Sequence, residues 1–175
     1  MYDVSRTVIG AEPVTVAELQ AYIMNRYDST DQDVSSLLQD MITSARELAE
    51  QYCNRSFVQQ EIEYTENVKT SWSDDIPEFV LPFPNHLSIV EVKVNDVVPT
   101  HYQQGGINQY TIQFNGRWYT TSSTGTKFYF KYTAGACPGL AKQAIMQIAK
   151  DMYENRGVNP LSSNGFNLLN SLKVY

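Results

Sequence analysis

Apolar residues recur every three or four positions towards both ends of this chain and every second position through its middle. Near the start, Thr15-Val-Ala-Glu18 has the form of a capping box: the Thr hydroxyl can accept from the first free amides of a helix, and the Glu can reach back. Val16, Leu19, Ile23 and Tyr27 follow at helical spacing, which predicts a helix over about 16–26. Asp28-Ser-Thr-Asp31 reads as a turn and a second helix start, with Asp31 and Asp33 suited to the positive end of a helix dipole. Val34, Leu37, Leu38, Met41, Ile42, Ala45, Leu48, Ala49 and Tyr52 then form one apolar stripe. At ~1.5 Å per residue this second helix spans roughly 30 Å. Gln39, Asp40, Ser44, Glu47 and Glu50 are expected largely on its other face.

The period changes after Asn54. Ile62 and Tyr64 alternate with Glu61, Glu63 and Thr65, as in a strand with one buried face. Residues 66–78 read as a polar loop holding Trp72 and Asp74-Asp75. Glu78-Phe-Val-Leu81 reads as a short strand stopped by Pro82 and Pro84, and Val90, Val92 and Val94 as a half-buried strand ending at Asn95-Asp96. Residues 99–109 read as a loop containing Gly105-Gly106. Tyr110, Ile112 and Phe114 predict a further strand, and Asn115-Gly116 a tight hairpin returning along Arg117-Trp-Tyr-Thr120. Phe128, Phe130 and Tyr132, alternating with Lys127, Tyr129 and Lys131, predict the last strand.

Pro138 suits the first position of a helix. Ala141, Ala144, Ile145, Ile148, Ala149, Met152 and Tyr153 are its stripe, and Arg156-Gly157 its end. Residues 158–175 are rich in Asn and Ser, with an apolar patch of Phe166, Leu168, Leu169 and Leu172; they read as a tail with at most one short helical turn. Residues 1–13 read as a mixed lead-in. The order predicts an α+β fold: a helical bundle of two N-terminal helices (15–54) and one C-terminal helix (138–157), with an antiparallel β-sheet inserted at 57–134 and a tail at 158–175.

The 175 residues suit a single domain. Hydrophobic residues at 42% against 18% charged supply a core and exclude wholesale disorder. Apolar runs stay far below the ~20 residues needed to cross a bilayer. Residues 1–20 have no basic stretch followed by an apolar one, so no signal peptide is expected. The net charge of −6 opposes the basic excess of a nucleic-acid binder. Cys53 and Cys137, distant and in no metal-ligand pattern, are expected to be buried and reduced.

Catalytic chemistry finds little support. His86 and His101 flank the Val90–Val94 strand but accompany no nucleophile motif and no zinc-ligand spacing, so they read as surface residues. Asp74, Asp75 and Glu78 read as a solvated acidic loop, and Gly105-Gly106 lacks the Lys-Ser/Thr of a phosphate loop. The 12 Tyr, 7 Phe and 2 Trp are read mainly as sheet packing. Trp72, Trp118 and Tyr119 are candidates for subunit contacts, where aromatic residues are favoured. No cofactor, metal or membrane partner is expected.

Four stretches, taken in order, carry a resemblance. They are Pro13-Val-Thr-Val-Ala-Glu-Leu19; Asp33 to Arg55, with Leu37-Leu38, Ala45-Arg46 and Glu50-Gln-Tyr52; Leu81-Pro-Phe-Pro84 with Ser88-Ile-Val-Glu-Val-Lys-Val94; and Tyr132-Thr-Ala-Gly135 leading to Pro138, Leu140, Ala144-Ile145 and Met152-Tyr-Glu-Asn-Arg156. Across residues 13–157 the chain resembles the head–tail connector (adaptor, or head-completion) proteins of long-tailed phages and prophages. It departs at its end, where Leu168-Leu169 runs on to Lys173-Val-Tyr175.

The resemblance implies a structural, non-enzymatic virion protein, assembled in the host cytoplasm and located at the head–tail interface. It implies a homo-oligomeric ring, twelve-fold to match the portal, that passes DNA through its channel and meets a stopper or tail-completion protein. Phe166, Leu168, Leu169, Leu172 and Tyr175 become candidate portal contacts. A tail-completion or tail-tube protein would be dominated by sheet instead of a long helix pair. A small hydrolase would gather His86, His101 and acids in one cleft.

Overall fold

The computed structural model describes residues 2–23, 32–68, 78–85, 88–100, 102–104, 111–114, 125–155 and 164–173. In chain order the elements are β1 (Tyr2–Val8), α1 (Val16–Tyr22), α2 (Gln32–Cys53), β2 (Gln60–Val68), β3 (Glu78–Val80), β4 (Ser88–Val94), β5 (Tyr102–Gln104), β6 (Thr111–Phe114), β7 (Thr126–Ala134), α3 (Gly139–Glu154) and α4 (Gly165–Leu169), with a 3₁₀ turn at Asn170–Leu172. The fold is α+β, as the pattern implied. The chain divides into two compact units, Met1–Ile9 with Gln59–Gly135, and Gly10–Val58 with Ala136–Tyr175.

Among the described residues, the regular structure of the first unit is all β. Its larger sheet has the order β1-β2-β7-β4 and its smaller one β3-β6-β5, with antiparallel pairing throughout. The clean period-two pattern of β7 sends Phe128, Phe130 and Tyr132 inward, beside Ile62 and Tyr64 of β2. Phe79 of β3 and Phe114 of β6 meet these rings: Phe79 lies 4.5 Å from Phe128 and 5.2 Å from Phe130, and Phe114 lies 5.4 Å from Phe128. Each buried ring contributes apolar area and a tilted ring contact. Tyr132 finds the polar partner that a buried hydroxyl needs, donating to the Pro82 carbonyl at 2.6 Å. Burial pushes its phenol well above the usual range. That bond anchors Leu81-Pro-Phe-Pro84, where Phe83 takes a left-handed φ of 50°.

Two strands escape the sequence reading. Residues 1–13 are not merely a lead-in, because Tyr2–Val8 pairs along its whole length with Gln60–Glu66. Arg6 hides the period: it occupies an inward position, with its guanidinium 4.3 Å from the centre of the Phe83 ring. Residues 99–109 are likewise not all loop. Tyr102–Gln104 is a polar edge strand formed by pairing with β6. The β layer is therefore two sheets that also recruit β1, instead of one insertion confined to 57–134. The Asn115-Gly116 hairpin and its return strand lie outside the described residues.

The second unit is helical. The α2 stripe buries Leu38, Ile42, Ala45, Ala49 and Cys53 against Ala141, Ala144, Ile145, Ile148 and Ala149 of α3, with Leu19 of α1. The small residues at these positions let helix backbones approach closely. Leu37, at the margin of the stripe, is 47% exposed. Asn54 ends α2 with a left-handed φ of 52°, a conformation Asn tolerates. Pro138 is the N-cap of α3, one place before the position expected for it. Residues 164–173 are not a loose tail: Phe166 and Leu169 of α4 belong to the helical core. Tyr52 fastens the segment by an edge contact to Phe166 at 4.8 Å and a hydroxyl bond to Asn170 at 2.8 Å, with Lys173 over its ring at 3.7 Å.

The capping box of α1 forms as read: the Glu18 amide donates to the Thr15 hydroxyl, and the Thr15 amide donates to the Glu18 carboxylate. Lys142 of α3 donates to the same carboxylate at 2.6 Å. That hydrogen bond, with those from the Thr15 amide and hydroxyl, lowers the Glu18 carboxyl from 4.5 to about 2. A depressed carboxyl stabilises the fold fully above its unfolded value and loses that contribution as pH falls through the folded one. Glu18→Gln should therefore flatten the decline of urea midpoint between about pH 4.5 and about pH 2. Thr15→Ala should cost ~1 kcal/mol in the same titration at neutral pH.

Candidate assembly surfaces

The one buried charge network among the described residues is built on α2. Arg46 and Glu50 sit one turn apart, the guanidinium Nη1 donating to Glu50 Oε2 at 2.8 Å. Arg46 Nε donates to Glu12 Oε2 at 2.9 Å, and Glu12 also accepts from the Thr43 hydroxyl. The second Glu50 oxygen accepts the amides of Phe57 at 2.7 Å and Val58 at 3.2 Å. Glu50 is fully buried, which corrects its expected place on the outer face of the helix. Its neighbours raise the Arg46 pKa against the opposing effect of burial. The network ties the segment before α1 and the segment after α2 to one helix. It has the character of a structural lock, since every polar group in it faces another.

Among the described residues no catalytic arrangement is seen. Among the described residues no three His, Cys, Asp or Glu side chains group as metal ligands, and no helix is long and apolar enough to cross a membrane. Cys53 is buried and free, and Cys137 is free but only partly buried, short of the full burial expected. Burial pushes both thiols up to about 11, the reverse of what a nucleophile needs.

Surface features suited to assembly are clearer. On the larger sheet, β4 forms one edge. A bulge between Ile89 and Glu91 leaves Val90 without a partner and 56% exposed, while Ile89 takes the inward position expected of Val90. Asn95 and Asp96, at φ 49° and 65°, then turn the chain so that Val94 and Val97 exchange both backbone hydrogen bonds. This turn occupies the outward polar groups of Val94. The edge of β4 is thus kinked at one end and closed at the other.

The opposite edge, β1, has neither device. The Ile9 amide donates to Gln59 O at 2.9 Å, which fixes the phase of the ladder: odd-numbered residues address β2 and even-numbered ones point away. Tyr2, Val4 and Val8 accordingly direct their N–H and C=O groups outward, with no strand beside them among the described residues. Tyr2 is 72%, Val8 45% and Ile9 53% exposed. Arg6 interrupts the apolar alternation of β1, so neither the strand nor its edge shows in the sequence pattern.

Of the candidate portal contacts, Phe166 and Leu169 are buried within this chain, Leu172 is partly buried against the same core, and Leu168 is 37% exposed. Tyr175 lies outside the described residues, as do Trp72, Trp118, Tyr119, His86, His101, Asp74 and Asp75.

No protein-family model matches the chain. No curated protein sequence matches it either. Solved structures do share its fold. A chain from the virion of a native gene transfer agent particle aligns with a TM-score of 0.70 at 15% identity, covering 97% of this chain and 95% of that one. A chain from the neck of an empty particle of this kind, computed with C6 symmetry, aligns at 0.68 and 16% identity over 98% and 96%. One from the neck of the native particle, computed with C12 symmetry, aligns at 0.64 and 15% over 98% and 96%. At such identities the likeness concerns the fold alone.

Proposed function

We propose that this chain is a structural, non-enzymatic subunit of a virion neck: a head–tail connector that forms a ring at the portal vertex and joins the head to the stopper or tail. The observation that carries the reading is the likeness of fold, over nearly the full length of both chains, to proteins of gene transfer agent necks and virions. Two of those necks were computed with cyclic symmetry, which supports a ring, and C12 supports twelve copies. The ordered motifs from Pro13 to Arg156 favour the connector among neck proteins.

A ring closes when each subunit offers two different complementary faces. Trp72, Trp118 and Tyr119 are proposed for that contact. We assign portal contact to the C-terminal segment through the exposed Leu168 and through Tyr175, while Phe166, Leu169 and Leu172 hold the segment in place. The net charge of −6 suits a channel that passes DNA without gripping its phosphates. The subunit would be made in the host cytoplasm and reside in the virion.

Electron microscopy of the purified chain, alone and mixed with its cognate portal, tests this. Closed annuli, free or seated on the portal, are expected. Absence of annuli under both conditions overturns the reading.

A further inference from the structure

We propose that the edge of β1, which has no strand beside it among the described residues, accepts an extended strand from a different polypeptide, one whose residues alternate apolar side chains with Lys or Arg. Three observations converge on this. The first is the contrast between the two edges of one sheet. β4 carries the bulge and turn with which natural sheets blunt an edge, and β1 carries neither. Its outward N–H and C=O groups at Tyr2, Val4 and Val8 are spaced to pair with an added strand.

The second is apolar exposure along that edge. Tyr2, Val4 and Val8 share the inward-facing side of β1, and Tyr2 and Val8 remain largely exposed at its ends. An incoming strand with apolar residues at alternate positions would cover them.

The third is charge. On the other side of the sheet, Asp3 of β1 lies nearest the open edge, and Glu61 and Glu63 stand on the next strand. Their counter-charge, Lys131, is one strand deeper on β7, bonded to both glutamates at 2.7 and 3.2 Å. The sheet is therefore acidic towards β1. Towards β4 it is balanced, since Glu91 and Lys93 pair at 2.8 Å. Arg6 lies on the opposite side, already engaged over Phe83. Lysines on an added strand would sit about 5 Å from the β1 row and about 10 Å from the glutamates. Pairing β1 with the same strand of a second copy would instead set like charges together, in a chain of net charge −6.

The proposal does not depend on ring formation, so its test stands apart from microscopy. The isotope-labelled full chain is titrated with a capped nine-residue peptide of alternating Val and Lys, and separately with its Val/Glu counterpart. Backbone amide shifts and hydrogen exchange are read. The expected result is slowed exchange at Val4 and Val8 with the Lys peptide alone. Val4→Pro removes an outward N–H, a change an edge strand tolerates. It should lower the unfolding midpoint only slightly, since Val4 packs at the margin of the β core, and weaken the peptide roughly tenfold, the upper end of what one hydrogen bond is worth. Asp3→Lys, at an exposed position, is the second variant and should erase the preference for Lys over Glu. No response to the Lys peptide, equal response to both peptides, or undiminished binding by both variants overturns the proposal. So does concentration-dependent protection of the same amides without peptide, which would assign the edge to a second copy.

Discussion

Replacing Glu50 with Ala is expected to destabilise the helical unit by roughly 3–5 kcal/mol, because it breaks a buried ion network from the inside. The truncation takes away the carboxylate that faces Arg46 Nη1 and, in the same stroke, the acceptor for the Phe57 and Val58 amides. Each of these donors would then be stranded away from water, and a donor stranded this way costs more than the bond was worth. Against a total stability of ~5–15 kcal/mol for a typical domain, the loss would dominate denaturant curves. Glu50→Gln makes the test sharper. Its carbonyl can still accept the two amides, but its NH₂ group would confront the guanidinium. An intermediate loss is expected. Equal stability of the Ala variant and the parent chain, measured by urea unfolding, would show that the network contributes nothing net.

Phe130→Ala is expected to cost about 3–5 kcal/mol in the β unit, the range for emptying an aromatic site that cannot collapse. Phe130 is fully buried, with ring centres of Phe79, Tyr64 and Phe114 at 5.2, 5.9 and 6.2 Å. Those neighbours sit on two different sheets, so a cavity here loosens their packing on each other. Thermal unfolding with near-ultraviolet circular dichroism should show a lower midpoint and a weakened aromatic signal. Amide exchange should quicken along β2 and β7, whose register Phe130 helps hold. A loss below about 1 kcal/mol would mean that the surrounding rings close over the gap.

Both sites bear on how much of this molecule was legible in its order of residues. Local periodicity determined α1, α2 and α3, the Thr15–Glu18 capping box and the alternation of β7, because each depends on neighbours within a few positions. The α+β class followed from the change of period after Asn54. The ordered motifs also carried a resemblance to the connector family, and solved chains from gene transfer agent virions and necks share the fold.

Other features depended on contacts between residues far apart in sequence, and these only the tertiary structure decided. Arg6 breaks the apolar alternation of β1, and only in the folded chain does it lie half-buried, with Phe83 beneath its guanidinium. Glu50 looks like a surface acid on a helix until Arg46 and the amides of Phe57 and Val58 enclose it. Phe166 and Leu169 look like exposed anchors for a partner, yet the α2–α3 core takes them in. The contrast between an open β1 edge and a closed β4 edge depends on strand order, which no window along the chain contains. The physical reason is common to all four: propensity acts over a turn or a strand, whereas burial of charge, docking of a tail and exposure of an edge are set by whatever the folded chain brings alongside.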